Sequence, residues 1–181
     1  MAILDLVDKI SQKIDSKYYS MGIFIDLSKA FDTINHKLLI DNLEYYGIRG
    51  VALQWIISYL SKRSQYVQIG DICSNYLHLT CGVPRGSILG PLLFLVYIND
   101  IVNVSALIDF LMFADDTNLF ISSRSLESLS VTANTVLAKL AKWFRLNKLS
   151  LNVNKTDYIL FHSHQKKLLT QIKLTIDNIT I

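Results

Sequence analysis

Apolar residues follow two kinds of spacing along the chain, one typical of helices and one typical of strands. Helical spacing predicts α-helices over 3–19, a segment through Leu39, Leu43 and Tyr46, 51–62, 91–100 and 126–147. Continuous or alternating apolar runs predict strands over 21–25, 65–69, 75–81, 107–114, 117–122 and 157–161, and a final hairpin over 173–181. Hairpin strands mixed with packed helices predict an α+β fold, in which helices pack on one face of an antiparallel sheet.

Polar and glycine-containing segments mark the ends of these elements. Gly70-Asp71, Asp115-Asp116 and Asp177-Asn178 lie where tight turns are expected. Gly47 fits the C-terminal end of a helix, and Asp32–Asn35 offers N-cap residues to that same helix. The predicted elements are therefore bounded by residues whose backbone preferences suit those boundaries.

Composition excludes whole classes of protein. Of 181 residues, 51% are apolar and 18% are charged, which excludes a disordered chain and leaves room for one domain with a real core. The high apolar share suits a part of a larger protein. Cys73 and Cys81 provide neither a disulfide framework nor a metal motif. The apolar run 88–98 is too short to span a bilayer and the chain starts without a signal sequence, so we expect an intracellular protein without membrane contact.

Charge is distributed unevenly along the chain. Residues 139–173 carry many Lys and Arg side chains and a single acidic residue, Asp157, whereas the preceding part is mildly acidic. A basic segment of this kind suits a polyanionic partner. A solvated helix face followed by a basic loop explains the same charges without any partner, so both interpretations stay open at this point.

Three carboxylates suggest a metal site. Asp26 ends an apolar strand, and Asp115 and Asp116 lie at the tip of an apolar hairpin. Adjacent carboxylates repel each other, and a divalent cation such as Mg²⁺ removes that repulsion. If the strand lies beside the hairpin, the three carboxylates converge on two metal ions that promote phosphoryl transfer. The alternative is an ordinary turn, because Asp is common in turns.

A glycine-rich loop and one aromatic residue, Phe31, are also candidates for function, whereas two tryptophans fit structural positions. The segment Gly82–Pro91 lets the backbone approach another molecule closely and leads into a helix N-terminus, or it is an ordinary strand-to-helix connection. Phe31, five residues after Asp26, is either the floor of a sugar pocket or a core residue. Trp55 and Trp143 lie in apolar helical stripes, so we expect them in the core or at a domain contact.

Taken together, these segments resemble the reverse transcriptase domain of non-LTR retrotransposons of the jockey or LINE-like kind. The matching strings are GIFIDLSKAFDTINHKLL, SYLSKRSQYV, GVPRGSILGPLLFLVYINDI, FADDTNLF and LNVNKT, in the order and spacing of that family. The resemblance covers residues 3–181. It implies a reverse-transcriptase-like polymerase palm, with 1–181 forming a partial palm domain from which the N-terminal fingers and the C-terminal thumb are absent.

The resemblance also implies a role for individual residues. Asp26, Asp115 and Asp116 correspond to the metal-binding aspartates, with two Mg²⁺ ions expected and Mn²⁺ as a possible substitute. Lys155 corresponds to a lysine that helps to protonate the leaving pyrophosphate, and the hairpin Lys173–Ile181 corresponds to a primer grip. Phe31 corresponds to the aromatic residue that disfavours a ribose 2′-OH. The residues that contact the template and the nucleotide correspond to Gly82, Pro84, Arg85, Gly86 and Ser87.

The implied function is RNA-directed DNA polymerisation, with an RNA template, a DNA primer and deoxynucleoside triphosphates as partners, together with the fingers, thumb and endonuclease of a parent polyprotein. The implied location is the nucleus and the cytoplasm. Arg85 departs from the family, which usually has Gln at this position. A fixed cation in place of a flexible amide affects nucleotide selection. Two other interpretations remain open, a truncated, non-catalytic palm remnant with weak nucleic-acid binding at most, and a nucleotide cyclase.

Overall fold

The structure, a computed structural model, describes residues 2–84, 86–113, 116–166 and 172–181. It divides into two compact units. Unit 1 consists of Met1–Ser28, Asp100–Leu146 and Ser150–Ile181, and unit 2 consists of Lys29–Asn99 and Asn147–Leu149. The assignment of 1–181 to one partial palm domain stays a prediction.

Groups of helices and groups of mostly short strands follow one another along the chain. The helices are α1 (Ala2–Asp15), α2 (His36–Tyr45), α3 (Gly50–Leu60), α4 (Leu89–Ile98) and α5 (Leu126–Leu146). The strands are β1 (Tyr19–Ile25), β2 (Leu27–Ser28), β3 (Ser64–Gln65), β4 (Gln68–Ile69), β5 (Ile72–Cys73), β6 (Leu77–His78), β7 (Asp109–Phe113), β8 (Asp116–Ser123), β9 (Ser150–Leu151), β10 (Asp157–Phe161), β11 (Thr175–Ile176) and β12 (Ile179–Thr180). Short 3₁₀ turns cover Ala30–Asp32, Asn99–Val104 and Val153–Lys155.

Unit 1 is built on an antiparallel sheet with the strand order β10-β1-β8-β7. Alternate residues of the central strands point to one face and are buried there, as Ile23 and its partner Leu119 illustrate. The apolar stripe of α5 covers this face, because Leu129, Leu140 and other stripe residues are buried. The predicted α+β fold with an antiparallel sheet is confirmed.

The opposite face of the sheet is contacted at one end by α1. This helix borders a cavity of about 330 Å³ together with Ser20 and Phe120, which lie on the face away from α5. The prediction that this helix reaches residue 19 is wrong. It ends at Asp15 because Lys17 adopts a left-handed backbone (φ 60°), while the Tyr18 N–H donates to the Lys13 carbonyl.

Unit 2 packs α2 against α3 and α4 around a small apolar core. Asn35 caps α2 by accepting a hydrogen bond from the Leu38 N–H, as the sequence predicts. Gly47 has φ +91° just after the helix, and this conformation confirms its predicted place at the helix C-terminus.

The predicted strands 65–69 and 75–81 are wrong in their extent. Instead, β3 pairs with β6 and β4 pairs with β5, and all four contain only two residues. The alternation misleads because both faces of these strands are exposed, and Leu77, for example, is 67% exposed. The predicted turn at Gly70-Asp71 is confirmed, since Ile69 pairs with Ile72. By length and hydropathy, the helices of the described residues include no candidate membrane span.

Candidate active site

Two of the predicted carboxylates lie at the same end of the unit 1 sheet. Ile25, the last residue of β1, pairs with Thr117 of β8. Asp26 follows Ile25 directly, and Asp116 directly precedes Thr117, so the two aspartates lie at adjoining strand ends. Thr117 is fully buried on the face covered by α5, and alternation places the exposed Asp116 on the other face.

The hairpin differs slightly from the predicted one. Asp116 is not part of the turn but begins β8, where it pairs with Phe113. The predicted tip at Asp115-Asp116 is therefore wrong for Asp116, because the ladder extends one residue further. Asp115 itself lies outside the described residues.

Asn152 holds Asp26 by two hydrogen bonds. Its side-chain Nδ2 donates to Asp26 Oδ2 over 2.8 Å, and its backbone N–H donates to the Asp26 carbonyl over 2.9 Å. The pairing of Leu27 with Leu151 brings the two segments together. Asn152 thus fixes both the backbone and the half-buried carboxylate of Asp26. Sequence reasoning missed it, although it lies in the string LNVNKT, because no local pattern indicates a partner so distant in the chain.

Lys155 lies in the turn that follows Asn152. Its backbone N–H donates to the Asn152 carbonyl over 3.0 Å, and the hydroxyl of the buried Thr156 donates to the same carbonyl over 3.0 Å. The Lys155 side chain is exposed. The segment that supports Asp26 therefore also carries the predicted proton donor, whose role stays a prediction.

A further carboxylate, Asp157, begins β10 at this end of the sheet. It is exposed and pairs with Phe24, two residues before Asp26. Sequence reasoning treated Asp157 only as the single acidic residue of a basic segment. The register of β10 is the observation that places it here, and a sequence pattern gives no register between strands so far apart.

The donor chemistry at this edge fits a divalent cation, because carboxylate oxygens are the ligands that such ions prefer. Among the residues that the structure describes, no three Cys, His, Asp or Glu side chains form a metal cluster. The predicted trio includes Asp115, which is not among them, so the metal assignment of Asp26, Asp115 and Asp116 stays a prediction.

In unit 2, backbone hydrogen bonds fix the glycine-rich loop. The Gly82 N–H donates to the Ile34 carbonyl and the Val83 N–H donates to the Phe31 carbonyl, both over 2.8 Å. His36 Nε2 donates to the Gly82 carbonyl over 2.7 Å. The loop is thus attached to the segment that contains Phe31.

Two glycines permit the close approach that these bonds require. A Cβ atom on Gly82 would lie 2.7 Å from the Asp32 carbonyl oxygen, and φ at this position is +84°. A Cβ atom on Gly90 would lie 2.8 Å from the Pro84 carbonyl oxygen. The Ser87 hydroxyl bridges the same turn, because it donates to the Pro84 carbonyl and accepts from the Gly90 N–H.

The remaining predicted residues of the loop are Gly86 and Arg85. Gly86 is exposed with φ +75°, and Arg85 lies outside the described residues. Phe31 is half-buried, and its ring packs against Phe94 with 5.0 Å between centroids. Contacts with nucleotide or template therefore stay predictions for this loop and for Phe31.

The C-terminal hairpin of unit 1 forms with its predicted turn at Asp177-Asn178. Arg145 of α5 contacts Asp177 over 2.7 Å, and Asn134 accepts a hydrogen bond from the Thr175 N–H. These two contacts hold the hairpin against α5. Its role as a primer grip stays a prediction.

Comparison with known proteins identifies the family. Residues 3–173 match the model of the family described as reverse transcriptase (RNA-dependent DNA polymerase). The chain is 32% identical over 164 residues to a probable RNA-directed DNA polymerase from transposon BS of Drosophila melanogaster, and 25% identical over 160 residues to that of the mobile element jockey of the same species. Each alignment covers 83% of this chain and 17% of the relative, so the chain spans about a sixth of the length of these relatives.

Solved structures show the same fold. A telomerase from Candida tropicalis, solved in complex with a fragment of telomeric RNA, matches 93% of this chain and 30% of its own with a TM-score of 0.62 at 14% identity. Telomerase from Candida albicans matches 97% of this chain and 33% of its own with a TM-score of 0.59 at 14% identity. These likenesses concern the fold alone. The family match and the transposon relatives show that the chain belongs to the reverse transcriptase family and is a reverse transcriptase domain of a non-LTR retrotransposon.

Proposed function

We propose that this chain carries the catalytic carboxylates of an RNA-directed DNA polymerase that extends a DNA primer on an RNA template. The observation that supports this proposal best is the position of Asp26 beside the start of β8, where Asp116 lies. Asn152 adds to it, because this side chain holds the Asp26 carboxylate in one orientation. The family membership supplies the reaction class.

In this reaction, the primer 3′-hydroxyl oxygen attacks the α-phosphorus of a deoxynucleoside triphosphate. A new phosphodiester bond forms, the bond to the bridging oxygen breaks, and pyrophosphate leaves. The hydroxyl proton is lost to solvent or a base, and the pyrophosphate gains a proton. Such a transfer depends on positioning and on electrostatic stabilisation rather than on covalent catalysis by the protein.

The family implies dependence on a divalent metal, and the oxygen donors at this edge fit one. Asp26, Asp115 and Asp116 would hold two Mg²⁺ ions, for which Mn²⁺ can substitute. When bound, such ions neutralise developing negative charge and favour the ionised form of a hydroxyl. The chain's own contribution is to hold the carboxylates at the strand ends.

Other residues have proposed roles in binding and proton transfer. Lys155 donates the proton that pyrophosphate gains. Phe31 excludes a ribose 2′-OH, and the loop Gly82–Ser87, including Arg85, contacts the template and the incoming nucleotide. The fingers, thumb and endonuclease of the parent protein are the proposed partners of the chain. Support for these roles comes from the family motif and, for the loop, from its backbone attachment.

The test combines Mn²⁺ binding, followed by electron paramagnetic resonance, with primer extension on an RNA template. Asp26→Asn and Asp116→Asn are each expected to weaken Mn²⁺ binding and to abolish extension. The matched control is Asp109→Asn. Asp109 is an exposed aspartate at the other end of β7, where it forms an ion pair with Lys9 (3.4 Å).

The two measurements separate the outcomes. If Mn²⁺ binds equally well to the chain and to both variants, or if extension survives them, the proposed site is wrong. Metal binding that depends on Asp26 and Asp116, without extension by the full chain, would indicate the non-catalytic remnant instead.

A further inference from the structure

A row of side chains with two aromatic rings lies along α3 and is not used by the proposed reaction. Its first member, Trp55, is exposed, whereas Tyr59 and Arg63 are half-buried. Trp55, Tyr59 and Arg63 are spaced four residues apart and lie in one row along the helix and just beyond it. The rings of Trp55 and Tyr59 are nearly parallel, with 5.8 Å between centroids and 12° between planes. The Arg63 guanidinium carbon lies 5.6 Å from the Tyr59 ring centroid. The three side chains therefore form one continuous stack.

The stack does not serve the core of unit 2. Leu53 and Leu60 are the buried residues of α3, whereas Trp55 is 57% exposed. Val51, one turn before Trp55, is 87% exposed. Of the two predicted places for Trp55, the core is therefore wrong, and a domain contact stays a prediction. An exposed indole beside an exposed valine leaves a flat apolar surface available to another molecule.

The surroundings of the stack favour an anionic ligand. Residues 50–70 contain Lys62 and Arg63 but no Asp or Glu. Arg63 also lines a cavity of about 570 Å³, together with Lys29, Asp32, Thr80 and Gly82. Asp32 is the acidic residue of this lining, which otherwise carries basic, polar and apolar groups. A single strand of nucleic acid has flat bases and an anionic backbone, and it therefore complements this surface.

We propose that the row Trp55–Tyr59–Arg63 is a binding site for single-stranded nucleic acid. A base stacks on the open face of Trp55, and the backbone phosphates contact Lys62 and Arg63. Stacking on aromatic rings next to basic side chains is how proteins bind single strands without reading their sequence. This site goes beyond the proposed polymerase reaction, because binding there needs neither a metal ion nor the Asp26 carboxylate.

The fluorescence of Trp55 reports binding directly. The chain contains two tryptophans, so the full chain with Trp143→Phe emits from Trp55 alone. Titration in EDTA with a single-stranded RNA of about 10 nucleotides is expected to quench this emission. Quenching is expected to weaken steeply as salt increases, and a duplex of the same sequence is expected to quench much less. Absence of quenching at saturating RNA would overturn the proposal.

Affinity measurements with a labelled RNA identify the residues involved. Trp55→Ala is expected to weaken binding about 5- to 150-fold, which corresponds to the loss of one stacked base. Trp55→Phe is expected to keep most of the affinity. The control Tyr45→Ala removes another exposed aromatic residue, which lies on α2 outside the row and is 80% exposed, and it is expected to change nothing.

Two further results separate this site from the proposed active site and from a protein interface. With Asp26→Asn, RNA binding at Trp55 is expected to persist, so a failed polymerase assignment leaves this site testable. If Trp55→Ala leaves RNA affinity unchanged but abolishes self-association in size-exclusion chromatography, the row contacts protein and the proposal is wrong.

Discussion

The helices α5 and α3 both carry many apolar residues, but the chain uses them in opposite ways. In α5 the apolar residues lie on one side of the helix, and this stripe from Leu129 to Phe144 is buried against the unit 1 sheet. α3 contains no charged residue, yet it buries only Leu53 and Leu60 and leaves Trp55 exposed. Hydrophobicity alone therefore does not decide burial. The layer available to cover a helix within its own unit decides it.

The clearest test of this contrast truncates one large aromatic residue in each helix. Phe144→Ala in α5 removes a fully buried ring and is expected to lower the free energy of unfolding by about 3–5 kcal/mol. Trp55→Ala in α3 is expected to lower the free energy of unfolding by at most about 0.5 kcal/mol. Urea denaturation followed by circular dichroism measures both values. Equal losses in the two variants would contradict the contrast.

The end of the unit 1 sheet that carries Asp26 extends this comparison. There a polar side chain, that of Asn152, holds a functional side chain in place. Asn152→Ala removes the side-chain donor to Asp26 Oδ2 and is expected to lower Mn²⁺ affinity and primer extension about 10- to 100-fold. The control is Asn154→Ala, an exposed asparagine in the next turn. If both variants lose metal affinity equally, or if Asn152→Ala loses only stability, Asn152 does not position Asp26.

Tyr97 forms two hydrogen bonds in the interior of unit 2. Its buried hydroxyl donates to the Asn147 carbonyl and accepts from the Asn35 N–H over 3.3 Å. Burial raises the pKa of Tyr97, and the bond from Asn35 lowers that pKa by less. Because the folded pKa is raised, this contribution to stability is complete below about pH 10 and is lost as the pH rises further.

Tyr97→Phe is accordingly expected to lower the free energy of unfolding by about 1 kcal/mol near neutral pH. The variant is also expected to lose less stability in alkali. Urea midpoints at about pH 8 and about pH 11 measure both effects. An unchanged alkaline loss in the variant would assign that loss to other groups.

The smallest expected effect is a gain in stability. Thr117 is fully buried, and its Oγ1 has no hydrogen-bond partner within residues 2–84, 86–113, 116–166 and 172–181. Thr117→Val replaces this hydroxyl by a methyl group and is expected to stabilise unit 1 by at most about 1 kcal/mol. Thermal denaturation measures the gain. A clear destabilisation would contradict this expectation.

Local patterns in the sequence predict the parts of the fold that depend on local physics. The stripe of α5, the strand Asp157–Phe161 and the turn at Asp177-Asn178 follow from periodicity and turn preferences. The split of 65–81 into four short strands does not, because all residues of these strands are exposed and their apolar alternation therefore faces no core.

The candidate site divides in the same way. Asp26 and Asp116 are conspicuous in the sequence because each carboxylate adjoins an apolar strand. Asn152 and Asp157 become significant only through strand register, which links segments more than a hundred residues apart. Side chains that support a site from a distant segment are the part that a sequence pattern does not indicate.

The backbone attachment of the glycine-rich loop has a consequence for engineering. Gly82 and Gly90 fix the path of the chain on either side of position 85 through main-chain contacts. A side chain at either glycine would collide with a backbone carbonyl oxygen less than 3 Å away. Variants of this loop that are meant to keep its path therefore have to retain glycine at both positions, whatever else in the loop is changed.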